Sequence, residues 1–217
     1  MFAARNSTLT HAVAAPGGLT TLNYPSFASI PAGSLDVAMT PGAGAVIVSG
    51  TTLQEGNSST GSGGYDSALV LPDVMAVTTT ISVTVTIGSL GVSSNVRGNG
   101  GGVFSADGTK GVYLFIPSAS GNCRVHSFAS GTVTNRTVST QVGVPGDTVT
   151  LTGTLSAGVW TWTVKKNGGA DIAALTWADS GHAIDLPGPR VAPIFRHQYA
   201  SGQLASRGVA ALSATAA

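Results

Sequence analysis

Residues 79–87 constrain the fold more tightly than any other segment. They read TTISVTVTI, in which Ile81, Val83, Val85 and Ile87 alternate strictly with Thr80, Ser82, Thr84 and Thr86. A period of two sets the four aliphatic side chains on one face of a strand and the four hydroxyls on the other. Such a strand buries one face and wets the other, the condition of an antiparallel sheet packed on one side. A helix would scatter the same residues around its circumference.

The rest of the chain supplies shorter signals of the same kind. Residues 45–53 (AVIVSGTTL) read as one short strand, 54–64 (QEGNSSTGSGG) as a polar loop, and 66–71 as the start of the next strand. Residues 88–102 read as a glycine-rich loop. Beyond it, 102–106 and 111–116 (GVYLFI) form a hairpin around Asp107-Gly108. In GVYLFI, Val112, Leu114 and Ile116 face one way while Tyr113 and Phe115 face the other. Both faces need cover, so this strand is central or lines a groove.

Residues 124–128, 133–138, 148–155 (TVTLTGTL) and 159–164 (VWTWTV) continue at the spacing of a sandwich. Trp160, Trp162 and Val164 share a face and are assigned to the core between sheets. Asn167-Gly168 signals a type I′ turn into 172–177, and 191–199 and 208–213 supply the last strands. Roughly ten to twelve short strands without a fixed repeat predict an all-β fold, an antiparallel β-sandwich of two packed sheets. A closed barrel gives the same local pattern. Residues 1–40, rich in Ala, Pro, Gly and Thr, read as an extended N-terminal arm, and 41–217 as the β-sandwich domain.

Composition narrows the function. Only 9% of the 217 residues are charged, against about 25% in an ordinary soluble domain, while 42% are hydrophobic. A net charge of +1 with scattered cations leaves no field for nucleic acid. The one cysteine, Cys123, excludes an internal disulfide and any multi-cysteine metal site. No run approaches the roughly 18–20 apolar residues of a membrane-spanning helix. The first residues do not read as a secretion signal. Glycoside hydrolysis uses a pair of carboxylates, and the single Glu, Glu55, has no acidic neighbour in sequence. The expectation is a protein that is not an enzyme and has no catalytic residues.

Several residue groups are candidates for binding. Trp177, Tyr199, Tyr113 and Tyr65 fall near strand ends or loops, where a ring can stack on a pyranose; each also has an ordinary packing role open to it. Asp179, His182 and Asp185 are spaced at three, and Asp179 with Asp185 is the candidate calcium pair, although Asp-Ser-Gly is first of all a turn. Cys123 and His126 are also three apart, but the cysteine reads as a small buried hydrophobe. Ser105-Ala-Asp107-Gly108-Thr109 reads as an Asp-Gly hairpin rather than a sialidase-type Asp-box. Apart from calcium, no cofactor is expected.

The order of TTISVTVTIG, GVYLFI, TVTLTGTL, WTWTVKKNG, ALTWADSG, PRVAPIFRHQYA and GVAALSA resembles the concanavalin-A/laminin-G-like jelly roll. More narrowly, it is similar to versions of that fold in minor tail proteins of actinobacteriophages. The likeness covers residues 45–214 and is carried by Trp162 to Gly168 and Asp179-Ser180-Gly181. Pro187-Gly188-Pro189 departs from the pattern, and the leading arm lies outside it. The resemblance implies a virion structural protein on the particle exterior, with a lectin-like module for host cell-wall glycan. Capsid decoration is the alternative, as is a glycan-binding or glycan-hydrolysing module. The implied partners are other virion proteins and further copies of the chain, for example as a trimer at a symmetry axis, with neither nucleic acid nor membrane insertion. A surface of Thr, Ser and Gly with few long cationic side chains loses little entropy when it docks.

Overall fold

The computed structural model describes residues 18–41, 43, 45–55, 64–88, 98–117, 122–180, 186–198 and 208–217. Fifteen strands lie among them: β1 (Thr21–Tyr24), β2 (Leu35–Ala38), β3 (Val46–Ser49), β4 (Thr52–Glu55), β5 (Gly64–Val70), β6 (Thr80–Ile87), β7 (Gly98–Phe104), β8 (Lys110–Pro117), β9 (Cys123–Ala129), β10 (Thr132–Ser139), β11 (Thr148–Ser156), β12 (Val159–Lys166), β13 (Trp177–Ala178), β14 (Arg190–Gln198) and β15 (Val209–Ala216). They form two sheets, ordered β13-β12-β11-β6-β15-β4-β3 (sheet I, with β1 also on β15) and β10-β9-β8-β7-β14-β5-β2 (sheet II). All named strand pairings are antiparallel. The sandwich, rather than the barrel, is the solution adopted.

β6 takes the form its alternation predicts. Ile81, Val83, Val85 and Ile87 are buried in the core between the sheets, each such side chain contributing about 1.5–3 kcal/mol on burial. On the opposite face, Ser82 meets Thr152 at 2.8 Å and Thr84 meets Thr150 at 2.7 Å through their hydroxyls, across the β6–β11 register. Hydroxyl pairs of this kind keep a sheet face polar without charge. From sheet II the core receives Val103, Val112, Leu114, Ile116, Cys123, Val125, Val191 and Phe195. Trp162 joins it as assigned, and Trp160 stacks on it with ring centroids 5.6 Å apart. Gly153, directly opposite Trp162, leaves room for the indole: a Cβ there would lie 2.6 Å from the ring.

Several boundaries differ from the sequence reading. Residues 45–53 are not one strand but part of the β3–β4 hairpin, because Gly50 (φ +63°) turns the chain and pairs Ser49 with Thr52. Residues 21–24 and 35–38, assigned to the arm, pair into the sheets on β15 and β5; residues 1–17 lie outside the described set. The glycine-rich stretch does not run to residue 102 as a loop: residues 98–104 are β7, a central strand buried along its whole length. After Asn167 and Gly168, both at positive φ, residues 172–177 are not one strand, since a 3-10 turn (Ala173–Leu175) precedes the two-residue β13.

Candidate functional site

The outward face of sheet II carries the chemistry. Strand alternation sends Val112, Leu114 and Ile116 of β8 into the inter-sheet core and leaves Tyr113 and Phe115 on the far side. On β9, Cys123 and Val125 face the core, so Arg124, His126 and Phe128 point outward. On β5 and β14 the outward positions are Asp66, Ala68 and Val70, and Ala192, Ile194 and Arg196. A second apolar cluster there includes Met39, Phe104, Tyr113, Phe128 and Ile194.

β7 is the floor of this face and explains its own glycines. At Gly98 a Cβ would run into the Phe115 ring and the Ile116 carbonyl; at Gly100 it would strike the Leu114 carbonyl. At Gly102 it would lie 2.7 Å from Tyr113 Cβ and 2.9 Å from the Phe104 ring. With no side chains in the way, Tyr113 extends across β7 and β14 and donates its hydroxyl to Asp66 Oδ2 on β5 at 2.7 Å.

Around that bond lies an under-satisfied polar group. Arg196 Nε is 3.5 Å from Asp66 Oδ1, within ion-pair range but making no hydrogen bond. His126 stacks on Tyr113 with ring centroids 5.0 Å apart, and both its ring nitrogens are buried without a partner. Arg124 Nε is likewise unpartnered. The Arg196 guanidinium lies over the Phe115 ring at 5.1 Å. Asp66, Tyr113 and His126 are 2%, 0% and 3% exposed.

Burial dominates the electrostatics. Removal from water pushes the Asp66 carboxyl above its ordinary range, against the pull of Arg196, the Tyr113 hydrogen bond and Arg124. The same burial, with Asp66 beside it, drives the Tyr113 phenol well up. Burial, reinforced by the charges of Arg196 and Arg124, lowers His126 to about 3, so its imidazole is neutral at pH 7. The site therefore offers donors and acceptors side by side on an aromatic surface.

The candidates from sequence do not converge. Tyr113 is in this site. Trp177 is not: it pairs with Trp162 on sheet I and packs at the rim of the inter-sheet core, with the Arg136 guanidinium 4.8 Å from its ring centre. Tyr65 lies on β5 beside Asp66, but its side chain, like all of Tyr199, falls outside the described set. Cys123 and His126 occupy opposite faces of β9, and burial raises the Cys123 thiol to about 12, as befits a hydrophobe. Asp179 is buried, with its amide donating to the Trp160 carbonyl at 2.8 Å. His182 and Asp185 lie outside the described residues, among which no group of three or more His, Cys, Asp or Glu is placed to hold a metal ion. Asp107 caps its hairpin by accepting from Ser105 Oγ and from Thr109 N and Oγ1, the ordinary Asp-Gly turn expected.

Asp66, Arg124 and Arg196 were not singled out from sequence, and His126 was noted only for its spacing from Cys123. Their signal is a polar residue at alternate positions of strands whose other face is apolar, together with glycine at 98, 100 and 102.

Solved structures share this architecture over most of the chain at low identity. The carbohydrate recognition domain of Emp47p aligns with a TM-score of 0.58 at 9% identity, covering 89% of this chain and 94% of that one. Lectin UEA-II complexed with galactose aligns at 0.54 and 10% identity, covering 92% and 99%. A protein of unknown function from Shewanella oneidensis MR-1 aligns at 0.53 and 13% identity, covering 96% of each. No protein-family model matches the chain, and no curated protein matches it in sequence. The fold is thus a legume-lectin-like, concanavalin-A-like jelly roll.

Proposed function

We propose that this protein is a glycan-binding module whose saccharide site is the outward face of sheet II around Asp66, Tyr113, Arg124, His126 and Arg196. The observation that carries the proposal is the set of buried polar atoms there without a hydrogen bond: Arg124 Nε, both nitrogens of His126, and Asp66 Oδ1 and Arg196 Nε, which face each other as an ion pair at 3.5 Å. Each unmet group costs about 1–3 kcal/mol, and a polyhydroxylated ligand offers donors and acceptors in the same small volume. Phe115 and Tyr113 add the apolar surface that a sugar ring needs. Binding is favoured over hydrolysis because the site holds one carboxylate among the described residues, where glycosidases use two. The fold's occurrence in proteins described as lectins supports the same reading.

Because Asp66, Tyr113 and His126 are nearly sealed while Arg124 and Arg196 are half-buried, reaching the inner polar atoms requires local opening of this face, and association is expected to be slower than the usual ~10⁵–10⁷ M⁻¹s⁻¹. The test is a glycan array probed with the chain and with a multimerised form that gains avidity. Binding that weakens at least tenfold in His126→Ala supports the site. An array with no signal for either form removes the function.

The finer reading is a minor tail protein on the exterior of a phage particle, contacting host cell-wall glycan; capsid decoration is its rival. Its support is the sequence resemblance over residues 45–214 and the low-charge, Thr- and Ser-rich composition. Association with other virion proteins and with further copies of itself belongs to that reading. Quantitative mass spectrometry of purified particles tests it: a few copies mean tail, hundreds mean capsid, and none ends both.

A further inference from the structure

Among the described residues, the sheet II site is not electrically balanced: two guanidiniums, Arg124 and Arg196, act on one carboxylate, that of Asp66. That carboxylate is itself divided, since Oδ2 accepts from Tyr113 at 2.7 Å while Oδ1 stands 3.5 Å from Arg196 Nε with no hydrogen bond. His126 adds no charge at neutral pH, yet it lies in the field of both arginines. Phe115 takes up one face of the Arg196 guanidinium and Tyr113 one face of the His126 ring, leaving edges rather than faces for hydrogen bonding. The Arg196 side chain keeps 19% of its surface exposed and Arg124 is half-buried, but a partly desolvated cation in excess is still costly unless an anion meets it. Guanidinium edges pair best with planar or tetrahedral oxyanions.

Resting on the glycan-binding reading, we infer that the site selects a saccharide bearing one singly charged oxyanion, held by Arg124 and Arg196 while His126 and Asp66 take neighbouring hydroxyls. The shared chemistry is a monoanionic oxygen group next to a sugar ring. Two sources supply it: the carboxylate of a hexuronic acid, or a phosphodiester linking a sugar to a polyol. A neutral sugar would satisfy the acceptors but leave the excess positive charge in place.

The experiment titrates the full chain with three probes: an oligohexuronate, the same oligosaccharide with its carboxyls reduced to alcohols, and a glycerol-phosphodiester-substituted oligosaccharide. At least one acidic probe is expected to bind ten or more times more tightly than the neutral one. Arg124→Gln and Arg196→Gln are each expected to narrow that ratio to less than threefold. The preferred acidic probe identifies the source of the oxyanion. In the wild-type protein, the imidazole resonances of His126 should titrate at higher pH when the acidic probe is bound, because a new anion favours the imidazolium. The neutral probe should not produce this shift, so the reading survives even if an arginine variant fails to fold. Equal affinity for all three probes, or no movement of His126, overturns selection for an anion while leaving glycan binding standing. Failure of every probe and of the glycan array together removes the glycan reading itself.

Discussion

The Tyr113 hydroxyl donates to Asp66 Oδ2 at 2.7 Å across two intervening strands of sheet II. Both groups are buried, so neither has water as a substitute. Tyr113→Phe keeps the ring in its place against Phe104 and His126 and removes only the donor. The expected loss is about 1–3 kcal/mol in denaturant unfolding, the penalty of stranding a buried carboxylate oxygen. Combined with Asp66→Asn, the double variant should be more stable than the sum of the single losses implies. Strict additivity would mean the bond contributes nothing.

Gly100 and Gly101 are neighbours on β7 with opposite demands. A Cβ at Gly100 would collide with the Leu114 backbone carbonyl, which cannot move without breaking the β7–β8 ladder. The atoms nearest a Cβ at Gly101 would be methyls of Val83 and Val85 at 3.1–3.3 Å. Gly100→Ala should therefore cost at least about 3 kcal/mol and Gly101→Ala less than about 1.5 kcal/mol. Comparing their thermal unfolding midpoints checks the order. If the two are equal, β7 does not owe its composition to the packing above it.

These glycines also show where the sequence stops being legible. In β6 the burial rule and the local pattern coincide, so Ile81 to Ile87 announce their own face. In β7 the pattern belongs to the neighbours. Gly98, Gly100 and Gly102 have no side chain to report a face, and what excludes one is Phe115, Leu114 and Tyr113 on an adjacent strand. β1 and β2 fail for a related reason. Each is four residues long with only alternate positions half-buried, and β15 and β5 supply the hydrogen bonds that make them strands. The site is assembled from β5, β8, β9 and β14, four segments that only the topology brings together. Two of its members were named beforehand, Tyr113 as an aromatic ring open to stacking on a sugar and His126 only through its spacing from Cys123.

His126 gives stability a pH dependence of defined sign. Its folded value is about 3, pushed down by burial and then by Arg196 and Arg124, while the ordinary value is 6.5. Between those limits the unfolded chain binds the proton and the folded chain does not. Stability is therefore lost as pH falls from about 6.5 towards 3, with a slope of at most about 1.4 kcal/mol per pH unit. Asp66, whose carboxyl is raised by burial, acts in the opposite direction, since its folded form takes up a proton first on acidification. The His126 share is isolated by comparison with His126→Gln. From pH 6.5 to 4.5 the wild type should lose about 2 kcal/mol more than the variant. Parallel curves would show that His126 titrates alike in the folded and unfolded chain.

Asp147 ties the loop before β11 to the end of β12. Its Oδ2 accepts from Lys166 Nζ and from the Val144 amide, both at 2.9 Å, and its Oδ1 accepts from Asn167 Nδ2 at 2.7 Å. Asn167 in turn accepts from the Thr148 amide at 2.8 Å while holding φ at +52°. Asparagine suits this position because it tolerates the left-handed region and its amide both donates and accepts. Asn167→Gly keeps the backbone conformation and deletes both side-chain bonds, so a loss of about 1–2 kcal/mol in chemical unfolding measures the clamp alone. Burial raises the Asp147 carboxyl, but the bonds from Asn167, Lys166 and Val144 outweigh it and hold the group below its ordinary range. A depressed folded value means that the stabilisation is complete above the unfolded carboxyl value near 4 and disappears as pH falls through the folded one. The stability difference between wild type and Asp147→Asn should be constant from pH 7 to 5 and shrink below pH 4. A difference that instead grows on acidification would show that burial, rather than the three donors, controls this carboxylate.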